Sequence, residues 1–391
     1  MSTSSELTSE DHLRLSVLMA QVDAVRVDEG AMCVLGRAGD REWTVQLHPR
    51  GAEYRYLHNV RCLLSEIVLG QPSGFPVYIK RWSDSGALSG IKARQLLKLG
   101  EPEAVRAVAR LPDLEAGLAE LAWWADPSPE VARTLLAAMR EAGPLGCRLA
   151  EYLVDHLAFE NDPEAEMETV RQLLRPGLLN PAAVTRLWSR RESKPQYRVG
   201  FLQGAADRLP EPEPPHPLLE THGEVLQTLR QQGNAVAATL YRLLDAQGQT
   251  FLRESQALLQ HAVDQSVVCA GANVLGDYLG LVDRDVASRD LQEIVADAVN
   301  AVTGTGSSPY REVAEHHSDL APLVTSLFIL AGVSERIFLE LFARSTASGS
   351  LLQSKLTPTL RPLIAHIAAL RDATGYSDPA PQRARRSRRG K

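Results

Sequence analysis

The chain has 391 residues, of which 44% are hydrophobic, 23% charged and 5% aromatic; these fractions are globular and exclude a disordered, collagenous or disulfide-scaffold protein. The 42 Lys and Arg against 48 Asp and Glu give a formal charge of −6. Six of those basic residues, Arg383, Arg385, Arg386, Arg388, Arg389 and Lys391, crowd the end of the chain without an acid, leaving 36 basic against 48 acidic residues elsewhere, so the body repels a phosphate backbone and the tail attracts one.

The N-terminus is polar and acidic, without the basic-then-apolar build of a signal peptide. Cys33, Cys62, Cys147 and Cys269 are scattered without a C-x-x-C pair and read as reduced thiols, which with the missing signal predicts a cytoplasmic protein. The runs Val25-Arg26-Val27-Asp28, Ala31-Met32-Cys33-Val34-Leu35 and Trp43-Thr44-Val45-Gln46-Leu47 are separated by Gly/Asp turns, the pattern of a three-stranded meander. Leu57, Val60, Leu64, Ile67 and Val68 place a helix over 54–69, and a Gly/Pro loop leads to a short β-rich run over 75–82. A small α+β head over 1–85 is expected.

From about residue 91 every periodic segment is short, helical and closed by Pro or Gly: 91–99, 104–111, 114–125 with Asp113 as cap, 130–141, 145–159 and 164–174. This punctuation predicts a HEAT-like solenoid of antiparallel helix pairs over 86–209; a compact irregular helical domain gives the same string. Five prolines in 210–217 favour an exposed polyproline linker between two helical halves. A second helical domain follows over 218–376, with helices at 218–232, 235–246, 250–264, 267–281, 288–302 and 358–373. Its apolar run over 320–333 contains Pro322, Ser326 and Gly332 and is too short for a bilayer, so no membrane insertion is expected. The tail, 377–391, is expected to lack fixed structure.

No chemistry-bearing constellation stands out. Glu315-His316-His317-Ser318-Asp319 points its histidines about 100° apart on a helix and reads as a solvated helix end. Gly304-Thr305-Gly306-Ser307-Ser308-Pro309 lacks the Lys-Ser/Thr of a phosphate loop and reads as a connector. There is no G-x-S-x-G, and Cys147 beside Arg148 reads as packed core. No catalytic residue, cofactor or metal ligand is therefore assigned.

Aromatic residues offer a partner surface instead. Trp123 and Trp124 diverge by about 100° on one helix, so one indole is expected in the core and the other at its margin. Tyr78, Lys80 and Trp82 alternate along the 75–82 run; they either pack a strand on the 54–69 helix or join the two indoles in a surface for a protein partner. The six-residue basic cluster of the tail is a candidate polyanion contact, without interleaved aromatics for base stacking.

Four stretches carry a family likeness: Val77-Tyr78-Ile79-Lys80-Arg81-Trp82-Ser83, Leu96-Leu97-Lys98-Leu99-Gly100-Glu101-Pro102-Glu103-Ala104-Val105, Ala122-Trp123-Trp124-Ala125 and Leu149-Ala150-Glu151-Tyr152-Leu153-Val154. Together they resemble the DsrS family, cytoplasmic proteins encoded beside dissimilatory sulfite reductase in sulfur-oxidising bacteria. The resemblance implies a context, the reverse-acting sulfite reductase route, and supplies no catalytic residue. The leading expectation is thus a non-catalytic accessory or regulatory protein of sulfur oxidation that binds a protein partner through a helical surface. A nucleic-acid-binding regulator acting through the tail, and a thiol-dependent sulfur-transfer enzyme, are the alternatives.

Overall fold

The structure is a computed structural model that describes residues 7–49, 51–70, 90–261, 264–282, 290–316, 319–344 and 347–371. Helix α1 (Ser9–Gln21) starts at Thr8, whose side chain accepts from the Asp11 N–H at 3.1 Å. Strands β1 (Ala24–Asp28), β2 (Cys33–Ala38) and β3 (Arg41–Gln46) then form an antiparallel sheet in chain order. Val25 lies opposite Gly36, and Val34 opposite Val45. A Cβ on Gly36 would sit 2.8 Å from Leu18 Cδ1, so the glycine is what lets α1 lie down on the sheet. Helix α2 (Glu53–Leu69) ends at Gly70, whose φ of 73° is the left-handed stop only glycine adopts easily. Leu15, Leu18, Val25, Val34, Tyr56 and Leu64 close a core among α1, the sheet and α2.

The rest of the described chain is helical: α3 (Gly90–Leu97), α4 (Pro102–Ala109), α5 (Ala116–Ala125), α6 (Pro129–Ala138), α7 (Pro144–His156), α8 (Pro163–Leu173), α9 (Pro181–Ser189) and α10 (Pro195–Gly204). Six of these open on proline, which loses nothing in a first turn because the N–H there has no helical partner. After a 3₁₀ turn (Ala206–Arg208) come α11 (Leu218–Gln231), α12 (Ala235–Leu244), α13 (Ala246–Gln260), α14 (Gln265–Leu279), α15 (Leu291–Thr303), α16 (Pro309–His316), α17 (Leu320–Ala331), α18 (Leu339–Ala343) and α19 (Gly349–Ala369). A mostly helical body with a small three-stranded antiparallel sheet near the N-terminus is therefore the architecture.

The chain forms two compact units, one of residues 1–159 and 175–180, the other of 160–174 and 181–391. In the first, α3 and α5 pack on β1, so the sheet and the first helices share one body and no boundary falls at 85/86. The returning segment places Arg175 over the end of α6, where its guanidinium donates to the carbonyls of Leu136 and Met139. In the second, Val170 of α8 seats against Gly200 of α10, and α17 is packed by α14, α15, α16 and α19. This central placement accounts for the apolar composition of α17; among the described residues no single helix is long and apolar enough to cross a membrane.

Several local features differ from the sequence-based expectation. The 210–217 segment is exposed along most of its length but is no linker between units, because it lies inside the second. Glu213 N–H donates to Thr250 Oγ1 at 2.8 Å, His216 N–H donates to the Leu244 carbonyl at 2.8 Å, and the His216 ring is buried. Asp113 does not cap α5, which starts at Ala116; its φ of 54° turns the chain, and its carboxylate pairs with Arg140 at 2.8 Å. The last helix begins at Gly349 rather than 358 and runs through Pro358 and Pro362. The 75–82 run and the 377–391 tail lie outside the described residues.

Candidate functional site

Alternation puts Ala24, Arg26, Leu35 and Arg37 on one face of the β1–β2 pair, with Arg26 opposite Leu35 and Arg37 opposite Ala24. The other face carries Val25 and Gly36 toward α1. Helix α5 lies against β1 on the arginine side and buries Leu118, Ala119, Leu121, Ala122 and Ala125. Its remaining stripe, Ala116, Glu120, Trp123 and Trp124, is left facing out at helical spacing.

Neither indole enters the core; both are half-buried. Trp124 Nε1–H donates to Glu42 Oε1 at 2.8 Å, and the Arg26 guanidinium lies 5.4 Å from its ring centroid while donating to its carbonyl at 3.3 Å. Trp123 meets Tyr152 edge to face at 4.9 Å, and the Tyr152 hydroxyl donates to the Pro127 carbonyl at 2.9 Å. The aromatic row continues along α7, with Tyr152 stacked on His156 at 5.6 Å. The expectation of one core indole fails because sheet arginines and α7 aromatics cover these rings from outside.

Arg26, Arg37, Glu120, Trp123, Trp124, Pro127 and Arg148 enclose a groove of about 300 Å³. Arg37 is oriented by its own hairpin, Nε donating to the Gly39 carbonyl at 3.0 Å. Arg148 reaches across from α7 to both carboxylate oxygens of Glu120 at 2.5 Å. Three guanidiniums thus meet two carboxylates, Glu120 and the Glu42 that lies opposite Arg37 and holds the Trp124 indole, which leaves an excess of one positive charge beside two indole faces. Such a lining suits a carboxylate joined to apolar groups.

Of the candidate partner surface, Trp123 and Trp124 thus come together, while Tyr78, Lys80 and Trp82 lie outside the described residues, as do Arg383, Arg385, Arg386, Arg388, Arg389 and Lys391. Arg26, Arg37, Glu120, Arg148 and Tyr152 join the site although sequence reasoning does not single them out. Arg26 and Arg37 do leave a sequence signal, two arginines on one face of an alternating hairpin, but nothing local pairs that face with a helix ninety residues on.

Three of the four thiols are shifted toward the protonated form. Burial raises Cys33, and burial with the Glu101 carboxylate nearby raises Cys62. Cys269, in a second cleft of about 460 Å³ lined by Glu164, Asp277 and Glu335, is pushed up to about 11 by burial, then by Glu335 and Asp264. Cys147 is half-buried, with Sγ 3.7 Å from the Gly177 carbonyl. Among the described residues no three His, Cys, Asp or Glu side chains gather as a metal site requires. Comparisons with protein families, with characterised proteins and with solved structures find no match to this chain.

Proposed function

We propose that this protein is a non-catalytic accessory or regulatory component that works by binding another protein, with the Trp123–Trp124 groove as its contact. The observation that carries this is the groove itself: two half-buried indoles held in place by Arg26, Glu42 and Tyr152, with guanidiniums alongside. Tryptophan and arginine are the side chains that dominate interface energetics. We read the helices that follow the sheet as a HEAT-like stack, which supports the same reading. From α3 to α7 the packed pairs are mostly neighbours one or two apart in sequence: α3 with α4 and α5, α4 with α5 and α6, α6 with α7. Stacked neighbours of this kind build extended surfaces. The pathway, reverse-acting sulfite reductase in a cytoplasmic setting, rests on the resemblance to the DsrS family alone.

The test is retention of sulfur-oxidation proteins from an extract of a sulfur-oxidising cell on the immobilised full-length chain, compared with Trp124→Ala and Arg37→Glu. A partner held by the native chain and lost from both variants, with helicity unchanged by circular dichroism, supports the reading. Equal retention by all three chains refutes the groove as the contact.

A further inference from the structure

The groove does not stand alone. Another cleft, of about 490 Å³, is lined by Leu114, Ala116, Ala138, Met139 and Leu145 among others, and it shares Glu120 with the groove. The outer stripe of α5 links the two, from Ala116 in the cleft through Glu120 to Trp124 in the groove. Eight residues of helix separate those ends by about 12 Å.

The charges around this pair of cavities are distributed unevenly. At the cleft, Asp113 is taken up by Arg140 at 2.8 Å and Glu120 by Arg148 at 2.5 Å, leaving Glu141 as a further acid in the lining. At the groove, Arg26, Arg37 and Arg148 face two carboxylates, Glu120, which Arg148 holds, and Glu42, which lies opposite Arg37 on β3 and accepts from the Trp124 indole at 2.8 Å, so one positive charge is left over at the sheet end. An occupant is therefore oriented: its carboxylate belongs at the Arg26–Arg37 end, and its bulky apolar group belongs in the cleft.

Resting on the partner-binding reading above, we propose that the two cavities together take one extended segment of the partner protein, carrying an Asp or Glu three or four residues from a Leu, Phe, Met or Trp. An extended chain covers about 12 Å in three or four residues. A polyanion such as single-stranded nucleic acid fits less well, because apart from the six terminal basic residues the chain carries 36 basic against 48 acidic residues and the groove offers a local positive spot rather than a track.

Selection of a phage-displayed random dodecapeptide library on the full-length protein tests this directly. Enriched peptides should share an acid and a bulky apolar residue at that spacing. A fluorescent copy of the consensus should lose at least tenfold in affinity with Arg37→Glu and with Ala138→Trp, which fills the cleft from an exposed position. No enrichment, a consensus lacking the acid, displacement by oligouridine in preference to the peptide, or indifference to Ala138→Trp overturns the proposal. If a natural partner is retained and lost on Trp124→Ala while the library yields no such consensus, partner binding stands and this inference falls. If the library yields the spaced consensus while no natural partner is retained, the peptide site stands and the partner-binding reading falls.

Discussion

The Tyr56 hydroxyl donates to Asp11 Oδ2 at 2.5 Å, tying α1 to α2 across 45 positions of sequence. Asp11 is fully buried and also accepts the His48 backbone N–H at 2.8 Å, with the His48 ring 3.2 Å from its other oxygen. Burial alone would raise this carboxyl, but the hydrogen bonds from Tyr56 and His48 outweigh it and hold Asp11 below its ordinary value of 3.8. A depressed carboxylate stabilises the fold above its unfolded-state pKa, and that contribution is lost as pH falls through the folded-state value. Protection of the α1 amides in hydrogen exchange should therefore drop steeply below about pH 4. Asp11→Asn should flatten the pH dependence and cost about 1.5–3 kcal/mol at neutral pH. Unchanged protection in the variant would show that α1 docks through its apolar stripe alone.

Glu254, buried on α13, gathers three arginines: Arg198 Nε at 2.9 Å, Arg191 Nε at 3.3 Å and Arg253 Nε at 3.0 Å. Arg198 is itself buried, and after Glu254→Gln it keeps only the exposed Glu192, at 2.9 Å, so the replacement should cost about 1.5–3 kcal/mol in urea unfolding. Replacing both members, Glu254→Leu with Arg198→Met, should cost less than Glu254→Gln. A double variant weaker than the single one contradicts the idea that Arg198 depends on Glu254 for its burial.

Cys269 titrates high, at about 11, because of burial and then Glu335 and Asp264. Its alkylation by iodoacetamide should be slow at pH 8 and accelerate toward pH 11, since only the thiolate attacks. Glu335→Gln removes a like charge and should speed the reaction at pH 8. Rapid labelling of Cys269 in the native chain at pH 8 would restore a thiol-based function to consideration.

Trp188 is the fully buried tryptophan among the described residues, edge to face with Phe201 at 4.9 Å and capped by Arg191 at 4.1 Å from its centroid. Among the described residues its indole nitrogen has no hydrogen-bond partner. Trp188→Ala should cost about 3–5 kcal/mol in thermal or chemical unfolding. Trp188→Phe should cost distinctly less, because it also removes an unsatisfied donor. Equal losses would mean that the nitrogen is satisfied in solution.

Local pattern carries much of the fold. The meander is legible because its first and third strands alternate, its second is a short apolar run and each turn holds glycine, and the helices from 90 to 173 and 218 to 303 are legible because proline or glycine closes most of them. Helix α1 is not: its buried Leu15, Leu18 and Met19 sit in a stretch whose opening is acidic and polar. The reach of α19 through two prolines is hidden as well, because Leu352, Leu356, Leu360, Leu363 and Ile367 stay on one buried stripe, and that packing outweighs the local penalty. Only the tryptophans of the candidate site can be picked out from sequence. Its arginines come from the sheet and from α7, and nothing in a single sequence says which distant elements meet.

Chain order bears on how the protein is made. Fifteen residues of the second unit, 160–174, are synthesised before the first unit receives its final piece, 175–180. Until Arg175 leaves the ribosome, the carbonyls of Leu136 and Met139 lack the guanidinium that covers them. A fragment ending at Phe159 should accordingly behave as an unfinished body, and a productive truncation has to include Asn180. The two units are interleaved in the order of their birth, so neither one can be excised by a single cut.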